Sequence, residues 1–292
     1  MKRVQFERST VPYFFIAPQI AIIAVFFLWP AGQAIYQSFL LEDAFGISSQ
    51  FVWFRNYEDT ILNYAWLQSA GFTVIFSTLV TFFSLAIALL LAVKANEVLH
   101  GSSSYKTMLM WAYAVAPPVA GLMGNLMFNP FIGDLYAAMN AMGWDFNQKL
   151  DAFDAGFVVI LISVWKQVSV NFIFFLSGLQ GIPKGVMEAA TLDCRSPTKR
   201  FWTITFPLLA PTTFFLMVIN ITYAFFETFG IIDTTTRGAP GGATNTLVYK
   251  VYTDGFLGAD LGGSSAQSVI LMLMVLALTV FQFRFIERKV HY

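Results

Sequence analysis

Apolar and polar positions fall into long blocks along this chain instead of alternating. Six stretches approach or exceed the roughly 20 apolar residues that a membrane helix needs. They run from Val11 to Ala34, Gly71 to Val93, Met108 to Phe128, Phe153 to Leu176, Leu208 to Phe229 and Ala266 to Phe285. The pattern predicts an all-α membrane protein of six transmembrane helices, a single transmembrane domain over residues 1–292. The first stretch could be read as a cleaved signal with small residues at Ala31 to Ala34, but it is longer than the roughly 7–15 apolar residues of such a segment. Pro18 and Pro30 can kink it, which membrane helices tolerate where neighbours satisfy the freed backbone groups. No internal repeat is evident, so the inverted-repeat architecture of many secondary transporters finds no support.

Composition sharpens this picture. The chain is 57% hydrophobic and 12% charged, with mean hydropathy +0.64, whereas soluble domains are about half apolar and about a quarter charged. The formal net charge is zero, so no basic excess points to nucleic acid. One cysteine, Cys194, permits no internal disulfide, and two histidines, His100 and His291, make no metal site. H-E-x-x-H and G-x-S-x-G are absent, which argues against an intramembrane hydrolase; a non-transporting scaffold is the other reading to weigh. The phosphate-cradling G-x-x-x-x-G-K-[ST] is absent too, so ATP, if it drives the protein, binds another chain.

The placement of charge sets an expected orientation. Lys2, Arg3, Arg8, Lys94, Lys106, Lys184, Arg195, Lys199, Arg200, Arg284, Arg288 and Lys289 fall on one side of six spans; Arg55, Lys149, Arg237 and Lys250 fall on the other. Positive residues mark the cytoplasm, which puts both termini inside. Acidic residues such as Glu42, Asp43, Asp134, Asp145, Asp151 and Asp254 collect in the opposite loops.

Charged groups at membrane depth usually face a cavity or a partner. In the fourth stretch, Ser163, Lys166, Gln167 and Asn171 share one face of a helix, opposite Leu161, Val164, Trp165 and Val168. In the fifth, Asn220, Tyr223 and Glu227 recur at i, i+3 and i+7. These six groups, Lys166, Gln167, Asn171, Asn220, Tyr223 and Glu227, either line a substrate pathway or hold helices together, in one version through a Lys166–Glu227 ion pair.

Between these two stretches lies a polar segment of about residues 181–206. It contains Pro183, then Glu188-Ala189-Ala190, then Asp193-Cys194-Arg195, followed by Phe201, Ile204, Pro207 and Pro211. A helix through Glu188, a break near Asp193 to Ser196 and a second helix toward Phe206 are expected, with Pro183 suited to the helix start. This order of residues resembles the EAA loop of the ATP-binding-cassette importer permeases. Thr236-Arg-Gly238-Ala239-Pro240 is similar to an outer-loop motif of the carbohydrate-uptake branch, which includes the maltose permease. Ala17-Pro18-Gln19, Trp29-Pro30-Ala31-Gly32, Ala112 to Pro117, Trp165-Lys166-Gln167 and Thr246 to Lys250 look like permeases of sn-glycerol-3-phosphate importers.

The resemblance implies a type I importer permease fold in a bacterial inner membrane, in contact with lipid and forming half of a substrate pathway. The cargo would be sn-glycerol-3-phosphate or a related glycerophosphodiester, with an oligosaccharide or polyol as the alternative. It further implies a second homologous permease, two cytoplasmic ATPase subunits that bind ATP and Mg, and a periplasmic solute-binding protein. This chain would bind no cofactor. Glu188, Ala189, Ala190, Asp193 and Cys194 would couple it to the ATPase. Cys194 stands where the family usually has Gly, a residue suited to left-handed backbone at a helix end, so a differently shaped turn is expected there.

Overall fold

The computed structural model describes residues 11–42, 48–97 and 102–286. Of the residues used for orientation, Lys2, Arg3, Arg8, Arg288, Lys289 and Asp43 lie outside the described residues, as do His100 and His291. Among the described residues, four helices are long and apolar enough to cross a membrane: Tyr13–Gln37, Tyr64–Asn96, Ala152–Gln180 and Leu261–Arg284. Two further spans are bent, Thr107–Ala114 with Pro117–Met127 at 101° and Pro197–Leu208 with Ala210–Phe226 at 68°. The expected six stretches are thus six spans, of which the third and fifth are not straight.

Proline accounts for both bends. Ala116 precedes Pro117, whose ring disfavours helical backbone in the residue before it, and Ala116 is extended at φ −61°, ψ 142°. Pro117 and Pro118 then open the second half of the span, where their missing N–H groups are no loss. In the fifth span the axis turns at Leu209, just before Ala210-Pro211. Pro30 breaks nothing, because the preceding residues Ala24–Leu28 widen into a π-helical turn that includes Phe26. Phe26 is the residue whose carbonyl the Pro30 ring would otherwise meet.

The chain divides into two compact units, residues 1–62 with 251–271, and residues 63–250 with 272–292. In the first, an antiparallel pair of short strands, Leu40–Glu42 and Ser49–Phe51, places Leu40 opposite Phe51. Asn56 on the helix Arg55–Leu62 donates to the carbonyls of Ser38 and Leu40 at 2.9 and 2.8 Å. Phe39 packs against Phe51, Phe54 and Tyr57. The first span leaves its apolar residues from Tyr13 to Trp29 exposed, a surface suited to lipid or another chain.

In the second unit the helix Tyr64–Glu97 is the central element. At 1.5 Å per residue its 34 residues extend about 50 Å, more than the hydrocarbon core requires. One face carries Ser69, Thr73, Ser77, Thr81, Ser84, Ala88 and Ala92, all buried. Small residues at near four-residue spacing let helices approach closely in lipid, and this face packs against the spans Ala152–Gln180 and Ala210–Phe226. Several of its hydroxyls bond within the helix, Ser69 donating to the Ala65 carbonyl and Thr73 to that of Ser69, while the Thr81 hydroxyl is buried without a partner. Asp151 starts the fourth span by accepting from the Phe153 and Asp154 N–H groups at 2.8 and 3.1 Å, an N-cap that supplies two otherwise unmet donors.

Candidate functional site

The polar groups of the fourth and fifth spans divide into two sets. Asn171 and Asn220 are fully buried and exchange hydrogen bonds, Asn171 Nδ2 to Asn220 Oδ1 at 3.0 Å and Asn220 Nδ2 to Asn171 Oδ1 at 2.7 Å. Ser84 of the second span donates to the same Asn220 Oδ1 at 2.9 Å. Three spans are joined there by fully buried side chains.

Lys166, Gln167, Tyr223 and Glu227 instead line a cavity of about 550 Å³. The fourth span contributes Lys166, Gln167 and Val170, the fifth Val218, Ile219, Thr222 and Tyr223, and the bend in the third span contributes Tyr113 to Pro117. Lys166 is 8% exposed, and its ammonium donates to the Val115 carbonyl at 2.6 Å. Lys166 and Glu227 form no ion pair within 4.0 Å, so the lysine is held by backbone of the third span and the carboxylate stays open on the cavity wall. The Tyr223 hydroxyl is buried beside Ser163 but makes no well-formed hydrogen bond. A cation, a carboxylate and an amide thus converge on one chamber at membrane depth, with the Tyr223 ring in its wall. Helical periodicity alone did not bring the third span into this chamber; Ala116-Pro117-Pro118 was the signal, since those prolines place backbone carbonyls where a straight helix would present only side chains.

The segment after the fourth span forms a helix, Lys184–Asp193, then a break, then the helix beginning at Pro197. Glu188, Ala189 and Asp193 are exposed on it while Ala190 is 3% exposed, so of the two alanines, about 100° apart on the helix, only Ala189 faces outward. Val186 and Leu192 are exposed as well. Cys194 ends the helix with φ −126°, ψ 100°, extended backbone that any residue adopts. The turn therefore has no need of Gly here.

Residues 69–292 match the family described as binding-protein-dependent transport system inner membrane component. The chain belongs to that family. It is 52% identical over 292 residues, the whole of both chains, to the sn-glycerol-3-phosphate transport system permease protein UgpA of Brucella suis biovar 1 (strain 1330). The UgpA protein of Rhizobium meliloti (strain 1021) is 51% identical over the same full length, and that of Yersinia pestis 48% over 290 residues, 99% of this chain and 98% of that one. Among solved structures, a bacterial ABC transporter involved in import of the acidic polysaccharide alginate has a chain of TM-score 0.83 at 18% identity, covering 96% of each chain. The MetNI methionine ABC transporter gives TM-score 0.54 at 13% identity, covering 77% of this chain and 96% of that one. The chain is thus a multi-pass inner-membrane permease subunit with the type I importer fold, and the ATPase of such an importer is a separate subunit.

Proposed function

We propose that this permease forms half of the path by which sn-glycerol-3-phosphate, or a related glycerophosphodiester, crosses the inner membrane, and that the chamber around Lys166 receives the cargo. The observation that carries this reading is a buried lysine on the wall of a polar chamber within a span, in a chain about half identical to UgpA proteins along its full length. A phosphorylated solute brings one or two negative charges, and a fixed cation lowers the cost of moving them through a poorly solvated passage. The Gln167 amide supplies donors, the Tyr223 ring lines the wall, and Glu227 accepts from hydroxyl groups of the cargo.

Both termini lie in the cytoplasm, and a second homologous permease closes the other half of the path. Two cytoplasmic ATPase subunits bind ATP and Mg, and a periplasmic solute-binding protein delivers the cargo. The exposed helix bearing Glu188 docks on the ATPase: Ala189 lets the surfaces approach, Glu188 supplies a charged contact, and Asp193 and Cys194 close the helix toward the second one. With the purified complex, sn-glycerol-3-phosphate should stimulate ATP hydrolysis where glycerol and maltose do not. Glu188→Lys should insert normally and abolish uptake; stimulation by maltose alone would overturn the cargo, and normal uptake by Glu188→Lys the coupling role.

A further inference from the structure

We infer that Lys166 is a positioning residue that latches the bend of the third span, and that an anionic cargo opens the latch by taking the lysine ammonium from the Val115 carbonyl. The inference rests on the reading of the chamber as the cargo site. Val115 lies between the two halves of the span, Ser102–Ala114 and Pro117–Met127. Pro117 and Pro118 have no N–H for the Tyr113 and Ala114 carbonyls, the extended Ala116 breaks the helix after Val115, and the Val115 carbonyl meets Lys166 at 2.6 Å.

The first half packs on the fourth span, while the second half, which also meets that span where Gly124 abuts Ile162, has the helix Phe229–Thr235 as its main neighbour. The second half sits against the helix Phe229–Thr235: Asn125 donates to the Thr234 carbonyl at 3.3 Å, and the hydroxyls of Thr234 and Thr235 lie 2.9 and 3.1 Å from the Pro118 and Gly121 carbonyls, each sharing its one hydrogen with a carbonyl of its own helix, Gly230 at 2.8 Å and Ile231 at 2.6 Å. Gly121 and Gly230 make this approach close enough that an added Cβ would collide with Thr235 and Pro118 respectively. The first half and the bend are tied to the fourth span by Lys166 to Val115 and, one turn on, by Ser169 to the Leu109 carbonyl at 2.7 Å. One of these two ties is therefore made by the lysine that also faces the chamber. A phosphate oxygen carries full charge and a carbonyl only a dipole, so an anion at the chamber wall is the stronger acceptor for the ammonium. A neutral solute of similar size offers no such competitor. Cargo charge is thereby converted into freedom of the first half of the third span about residues 115–117.

The test uses the whole transporter in nanodiscs, with Cys194→Ser as background. Spin labels on Met108→Cys and Met127→Cys, both exposed positions on the two halves, report the bend. Thr222→Cys on the chamber wall reports cargo entry through protection from a thiol reagent. sn-Glycerol-3-phosphate should protect Thr222→Cys and shift the label distance, whereas glycerol should do neither. Lys166→Met should show the shifted distance without cargo and raise cargo-free ATP hydrolysis roughly tenfold, the change in equilibrium expected on losing one charge-assisted hydrogen bond. Lys166→Arg, which keeps the donor and the charge, should restore the cargo response. Protection without a distance change in the otherwise unaltered protein overturns the latch and leaves the chamber as the cargo site. Absence of protection overturns the chamber reading itself, and the latch with it. Should Lys166→Met not assemble, the label distance in the lysine-bearing protein with and without sn-glycerol-3-phosphate still decides.

Discussion

Replacing Asn220 by alanine should destabilise this permease much more than replacing Asn171, although the two side chains exchange the same pair of hydrogen bonds. Asn220 makes four: its Oδ1 accepts from Asn171 at 3.0 Å and Ser84 at 2.9 Å, and its Nδ2 donates to Asn171 at 2.7 Å and to the Leu216 carbonyl at 2.6 Å. An amide has two donor hydrogens and two acceptor lone pairs, so its capacity is filled. Among the described residues Asn171 bonds Asn220 alone, and both side chains are 0% exposed. Asn171→Ala leaves each polar atom of Asn220 one partner. Asn220→Ala leaves both polar atoms of Asn171 with none, while Ser84 falls back on the Thr81 carbonyl at 3.2 Å.

Interhelical hydrogen bonds in membranes contribute about 0.6 kcal/mol each, so loss of the pair in Asn171→Ala should cost about 1 kcal/mol. A buried group left unmet costs about 1–3 kcal/mol, which for the two polar atoms of Asn171 puts Asn220→Ala at about 2–6 kcal/mol. Each alanine adds a similar cavity cost, so the difference survives. The double alanine should be better than the sum of the singles, and the double leucine better still, because removing both partners together leaves nothing unmet. The measure is SDS titration of the purified complex in mixed micelles, followed by tryptophan fluorescence across the four variants. Equal losses for the two alanines, or strict additivity, would refute the reasoning.

Gly121→Val should lower protein level, since its side chain would push against Thr235 and the Ile231 carbonyl and separate the third span from the helix Phe229–Thr235; overpacking of this kind costs about 1–3 kcal/mol, and normal thermal stability would count against the packing described. Cys194→Gly should give no stabilisation and a loss of up to about 1 kcal/mol, because Cys194 already sits in extended backbone; a raised melting temperature would show that the turn wants left-handed backbone after all. For orientation, cysteines at Ser48 and Phe256, both exposed, should react with an impermeant thiol reagent from outside, and one at Leu192, 88% exposed, should not. Ser264 is a poor reporter, being 7% exposed. Labelling of the Leu192 site from outside would reverse the proposed topology.

Much of this protein is legible in its order of residues, because lipid imposes a rule that needs no tertiary knowledge: backbone polar groups must be paired within the segment, so a run of about 20 apolar residues becomes a helix. The six spans follow from that rule. The helix Lys184–Asp193 and its break follow from Pro183 and from a mostly exposed local sequence in which Ala190 is the one buried residue. Helical periodicity also sets Lys166 and Gln167 on one face of the fourth span and Tyr223 and Glu227 together in the fifth. What periodicity leaves open is which polar group of a stripe meets another helix and which meets a chamber. Asn171 lies only five residues beyond Lys166, and Asn220 three before Tyr223, yet the first of each pair is locked against the other's helix and the second two face an opening. That division depends on the crossing of the fourth and fifth spans over the small-residue face of the second, and on the bend at Ala116 that carries the Val115 carbonyl to Lys166. Prolines mark in sequence where a helix must break; where the freed carbonyl then points, and which cation meets it, is fixed by the neighbours that hold the two halves of the broken span.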